Sequence, residues 1–190
     1  MCCGTKRLTQ IACPSDCPWL ATAREHPAAA VVRQQQRDVA LLMRALRDFS
    51  ERQSQLFLLL STFLTKYEAP ELHALVDADI TEALAAMAST YETSVRGVIY
   101  EHRPASLPAE RLVTLFKPVL AKAAEGGGTA FERDAAVVLR RAEETVREAR
   151  AADPGNRRAF ADFLSRVISR KPDAEAEPGA EPERSRLILP

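Results

Sequence analysis

The chain has 190 residues, 46% of them apolar and 27% charged, and its 26 basic and 26 acidic residues cancel to no net charge. That balance argues against a dedicated nucleic-acid binder, which carries a clear basic excess, and the length suffices to bury a core without disulfides. There is no apolar run of the roughly 18 residues that a membrane-spanning helix needs, and the start lacks the basic, apolar, small-residue order of a secretion signal, so a cytoplasmic location is the default expectation.

Composition divides the chain into an irregular segment bearing cysteine and proline over 1–26, a helical region over 27–171, and an acidic tail rich in Pro, Glu and Ala over 172–190. All four cysteines, Cys2, Cys3, Cys13 and Cys17, fall in the first segment. Cysteines used as small core residues would scatter among the helices. Their clustering in an irregular stretch points instead to sulfur chemistry, and in a reducing compartment to metal ligation before disulfides. Four thiolates suit a closed tetrahedral zinc site. Side chains at adjacent positions diverge, so His26 is a substitute for one of Cys2 and Cys3, giving a Cys3His set. Prolines after Cys13 and Cys17 stiffen the loop, Gly4 permits a tight turn, and Lys6, Arg7 and Arg24 offset thiolate charge. An iron–sulfur cluster is the alternative occupant, although the compact C-x-x-C-x-x-C run is missing. Acylation at Met1-Cys2-Cys3, helped by Lys6 and Arg7, leaves Cys13 and Cys17 unexplained.

From Pro27 onward, Val39, Leu42, Leu46, Phe49, Gln53, Leu56, Leu60, Phe63 and Tyr67 recur at alternating three- and four-residue spacing. This predicts one long helix with a heptad seam. Around Leu56–Leu60 it turns apolar on every side and should be covered from several directions. A short link near Pro70 precedes a second long helix carrying Leu72, Val76, Ile80, Ala83, Met87, Tyr91, Val95 and Val98, closed by Arg103-Pro104. So short a link predicts an antiparallel pair.

Ser106, with Pro108 and Glu110 after it, caps a third helix, which Pro118 should kink or divide and the glycines at 126–128 should end. Thr129 and Glu132 form a capping-box pattern for a fourth helix through Phe131, Ala135, Val138, Leu139 and Val146. Asp153-Pro154 stops it, and a fifth helix presents Phe160, Phe163, Leu164, Val167 and Ile168. The expected fold is therefore all-α: an antiparallel bundle of about five helices, the two longest first, behind an irregular metal-binding segment.

No catalytic constellation stands out. The three histidines lack the Glu-x-x-His spacing of bundle di-iron sites, and the triple glycine lacks the lysine of a phosphate loop. Arginines such as Arg44, Arg47, Arg52, Arg140, Arg141 and Arg147 alternate with acids and fit solvated helix faces. The tail is too polar to bury a core, yet it carries Leu187, Ile188 and Leu189 near its end. These would fold back on the bundle or dock on a partner. The first helix also has more apolar circumference than one neighbour covers, which suggests self-association. Together these features describe a non-enzymatic helical interaction or adaptor protein with a structural zinc site. The alternative is a metal- or redox-responsive regulator that senses through the four cysteines.

Overall fold

The computed structural model describes residues 28–68, 74–125 and 127–168, and six α-helices account for most of them, with no strand among the described residues. In chain order these are α1 (Ala29–Ala45), α2 (Glu51–Lys66), α3 (Asp77–Val95), α4 (Leu107–Ala123), α5 (Gly128–Ala152) and α6 (Ala159–Ile168). None of them is long and apolar enough to cross a membrane.

The first expected helix is two. Asp48 adopts a left-handed φ of 63°, which ends α1 after Leu46, a conformation Asp tolerates better than most L-residues. Ser50 then starts α2 with a capping box: its hydroxyl accepts from the Gln53 amide, and the Gln53 side chain accepts from the Ser50 amide at 3.0 Å. The heptad spacing runs through this break unchanged, which is why periodicity alone missed it. Nor is the Leu56–Leu60 stretch covered all round, because Leu58 and Leu59 are exposed while Leu56, Phe57 and Leu60 are buried.

The longest element, α5, organises the rest. Its Phe131, Ala135, Val138, Leu139, Ala142, Val146 and Ala149 are all buried at helical spacing. Four helices pack on it: α1, α2, α6 and, most extensively, α3. Cross-links give the directions. Ser94 Oγ donates to Glu132 at 3.0 Å and Arg140 Nη2 to Glu92 at 2.8 Å, so α3 runs antiparallel to α5. Arg44 bonds Glu148 at 3.1 Å, and Arg141 donates to the carbonyls of Arg44 and Arg47, so α1 is antiparallel too. Gln53 meets Asp134 at 2.7 Å near the start of α5, whereas Leu64 and Tyr67 line a cavity with Leu164 and Arg158 beyond its end. Helix α2 therefore runs parallel to α5 and antiparallel to α1.

The antiparallel order expected of four or more of the helices does not extend to α4. Helix α3 ends at Val95, eight residues before the expected stop, because Gly97 takes φ 79° and turns the chain back. Residues 98–106 return along α3, so α4 begins beside the start of α3 and runs parallel to it. Ser106 caps α4 as expected, but Pro118 does not divide it. Pro118 and Thr114, whose carbonyl loses its helical donor to the proline, both lie on the exposed side, where a carbonyl is not cut off from solvent. The expected Thr129–Glu132 capping box is also absent: α5 starts at Gly128 with Gly127 as its cap, and Glu132 turns to Ser94 instead. A Cβ at Gly127 would sit 2.7 Å from Cβ of Phe131, so glycine is needed there for close approach.

The fifth expected helix is α6, with Phe160, Phe163 and Leu164 buried. Its first turn is held from a distance. Asp77 is fully buried and accepts from the amides of Phe160 at 2.9 Å and Ala161 at 3.2 Å. This is a cap supplied across 83 residues. Burial raises the Asp77 carboxyl above its ordinary pKa, with the two amide bonds working in the opposite direction.

The break at Asp48 makes a testable ordering of variants. In a left-handed position Asp48→Gly should stabilise the protein by up to about 1 kcal/mol and Asp48→Ala should destabilise it by a similar amount. A continuous helix would give the reverse order, with alanine best and glycine worst. Urea midpoints of the two variants decide between them.

Candidate partner-binding surface

The residues proposed as metal ligands, Cys2, Cys3, Cys13, Cys17 and His26, lie outside the described residues, as do Leu187, Ile188 and Leu189. Among the described residues, no group of three His, Cys, Asp or Glu side chains is arranged to hold a metal ion. The surface with the most distinctive chemistry is the connector between α3 and α4, which the apolar spacing of the sequence places inside a helix.

The connector is built from local breakers. Gly97 turns the chain, Pro104 prevents helix from resuming, and Ser106 caps α4. Between them the backbone is fastened to α3 at successive points. The Val98 amide donates to the Thr93 carbonyl at 3.0 Å. Thr93 Oγ1 donates to the Tyr100 carbonyl at 3.3 Å, and the His102 amide donates to Thr90 Oγ1 at 2.9 Å. At the far end Glu82 accepts from the amides of both Ala105 and Ser106, the latter at 3.1 Å. On the other side Lys117 of α4 pairs with Glu101.

Anchoring thus falls on Val98, Tyr100 and His102, the residues whose backbone groups face α3. In an extended chain the alternate residues face the opposite way. Ile99, Glu101 and Arg103 make no backbone hydrogen bond among the described residues. Ile99 is fully exposed, and Val98 and Tyr100 are more than half exposed. Beside them Met87, Tyr91, Val113, Leu120 and Ala121 line a groove of about 270 Å³. The Tyr100 and His102 rings meet edge-on at 4.8 Å, which fixes the polar end of this groove, where His102 Nε2 is buried without a hydrogen-bond partner among the described residues.

Electrostatics hold the connector in one pose. A hydrogen bond from Ser106 draws the Glu82 carboxyl below its ordinary pKa; partial burial opposes this, and the amides of Ala105 and Ser106 reinforce it. Lys117 does the same for Glu101. No sequence signal marks this surface as exposed, because Val95 and Val98 continue the apolar spacing of α3. Gly97 alone hints at the stop.

Because the folded pKa of Glu82 is depressed, its anchoring is complete above the unfolded carboxylate value of about 4.3 and is lost as pH falls through the lower folded value. Amide exchange at Ala105 and Ser106 should therefore lose protection on acidification below about pH 4. In Glu82→Gln that protection should already be reduced at pH 6. Equal protection in the two proteins across this range would rule out the Glu82 anchor. Comparison with family models, with curated protein sequences and with solved structures gives no match.

Proposed function

We propose that this protein is a non-enzymatic interaction module, in which the helical bundle holds the α3–α4 connector as a preformed docking edge for a protein partner. The observation that carries this reading is the fully exposed Ile99, flanked by the exposed Val98 and Tyr100, on a connector in which the backbone groups of Ile99, Glu101 and Arg103 make no hydrogen bond among the described residues. An extended peptide adding to the free edge gains main-chain hydrogen bonds, and covering a side chain such as Ile99 contributes about 1.5–3 kcal/mol. The groove beside it accommodates alternate side chains of the added strand. A connector already fixed by Thr90, Thr93 and Glu82 loses little further freedom on binding.

The reading keeps Cys2, Cys3, Cys13 and Cys17, with His26 as the substitute ligand, as a structural zinc site that orders the segment before α1. Leu187, Ile188 and Leu189 remain a second apolar element suited to docking on the bundle, on a partner or on another copy.

A photo-crosslinking residue placed at Ile99 should yield a discrete protein adduct in cells, and Tyr100→Asp should remove it. The same residue at Gln36, an exposed polar position on α1, is the control. Indistinguishable adducts at the two positions would sink the docking-edge reading. Elemental analysis of protein purified without chelator should give about one zinc per chain, lost in Cys13→Ser; a folded protein without metal would remove the zinc part alone.

A further inference from the structure

We infer that a depression at the other end of the bundle is an oxyanion site for a phosphate monoester with a small organic body. Its volume is about 340 Å³, and it lies between the end of α5, the α5–α6 connection and the first turn of α3. Three guanidinium groups border it, those of Arg147, Arg150 and Arg157. Val76, Ala78, Ala151 and Pro154 form its apolar part, and no carboxylate among the described residues lines it. Asn156, also on the lining, is engaged with Asp162 and the Arg158 amide.

Several arginines elsewhere on this protein are paired with acids, Arg44 with Glu148, Arg52 with Asp134, Arg140 with Glu92 and Glu143, Arg166 with Asp38, whereas single arginines such as Arg33 and Arg133 are not among the described residues. What sets the depression apart is that three arginines line it together. Arg147 reaches Glu143 at 2.5 Å, but that carboxylate is 1% exposed and is shared with Arg140. Arg150 and Arg157 have no ion pair within 4.0 Å among the described residues. Arg150 interacts by charge with Asp77, whose oxygens are taken by the α6 amides. Asp153 lines the neighbouring cavity on the α1 side instead.

Arginine suits phosphate better than single-charge anions, because each guanidinium presents parallel donors to two oxygens. The first turn of α3 has Ala78 on the rim, but its Asp77 and Asp79 already offset the helix dipole, so the arginines carry the assignment. The apolar floor gives the organic part of an ester a surface to cover, which inorganic phosphate lacks. The ligand class is therefore an ester, with free phosphate binding more weakly at the same forks.

Phenyl phosphate and inorganic phosphate, titrated into the full chain at constant ionic strength and followed by calorimetry and by arginine side-chain NMR signals, test this. Saturable binding is expected for both, tighter for the ester, with shifts at Arg150 and Arg157. The double variant Arg150→Gln, Arg157→Gln should keep its thermal midpoint and bind at least about tenfold more weakly, a loss of about 1.4 kcal/mol. Arg33→Gln, on an exposed turn of α1, should bind as the parent does. An equal response to sodium chloride, or saturable binding unchanged in the double variant, would overturn the assignment.

Discussion

Helix α5 has to bury one whole side over 25 residues, and it does so while carrying a carboxylate inside that side. Glu143 is 1% exposed, between buried Ala142 and Val146. An unpaired charge there would cost several kcal/mol. The helix supplies its own compensation: Arg140, one turn before, donates at 2.6 Å, and Arg147, one turn after, donates at 2.5 Å. Arg140 then spans to α3, where Glu92 takes two of its donors at 2.8 and 3.0 Å and Ser89 a further one at 3.4 Å. The Glu92 bonds raise the Arg140 pKa, partial burial works against them, and Glu143 adds to the rise. The network thereby ties α3 to α5, since sliding either helix by a turn would part Glu92 from Arg140. The small residues of α3, Ala83, Ala86 and Ala88, let the two backbones approach.

Asp77 plays the corresponding part at the far end. It begins α3, where a carboxylate suits the helix dipole, and it also caps α6 through two amides. Its own amide donates to the Arg157 carbonyl at 2.9 Å, and Arg158 donates to the Leu75 carbonyl at 2.8 Å. The starts of α3 and α6 are thus stitched together, which places Arg157 on the rim of the basic depression. A second tie closes α6 onto α1, where Arg166 makes a two-pronged contact with Asp38 at 2.8 and 2.9 Å. Burial alone would raise the Asp38 carboxyl, but bonds from Arg166 and Gln34 outweigh it and hold it low.

Elements that declare themselves by short-range chemistry were legible in the sequence. The Ser106 cap, the buried face of α5, the stop at Asp153-Pro154 and the apolar face of α6 all rest on residues within a turn or two of one another. The errors came where a periodic pattern hid a break. The spacing from Leu42 through Phe49 to Leu56 is continuous across Asp48 because the loop happens to keep phase, and the Ser50–Gln53 box beneath it carried the decisive signal. The same happened at Val95 and Val98, where Gly97 outweighs the apolar spacing. Nothing local announces that Asp77 will cap a helix 83 residues away, or that three arginines on two elements will share a depression without an acid. The cysteine segment and the tail, for which the sequence suggests metal ligation and docking, lie outside the described residues.

The two candidate surfaces owe their separation to α3. Val98–Tyr100 sit by its C-terminal end and by the start of α5, whereas Arg147, Arg150 and Arg157 gather at its N-terminal end and the end of α5. Helix α3 has 19 residues, so the two lie about 28 Å apart, the length of such a helix. That is well beyond the Debye length of about 8 Å at physiological salt. Charge at the basic depression therefore has no direct electrostatic hold on the connector, and substitutions at the two sites should act additively. A coupling between them would have to pass through the helix itself, as a shift of α3 along α5. The paired bonds between Arg140 and Glu92 oppose that movement, because it would part the two side chains. The bundle thus holds the apolar connector and the basic depression at opposite ends of α3.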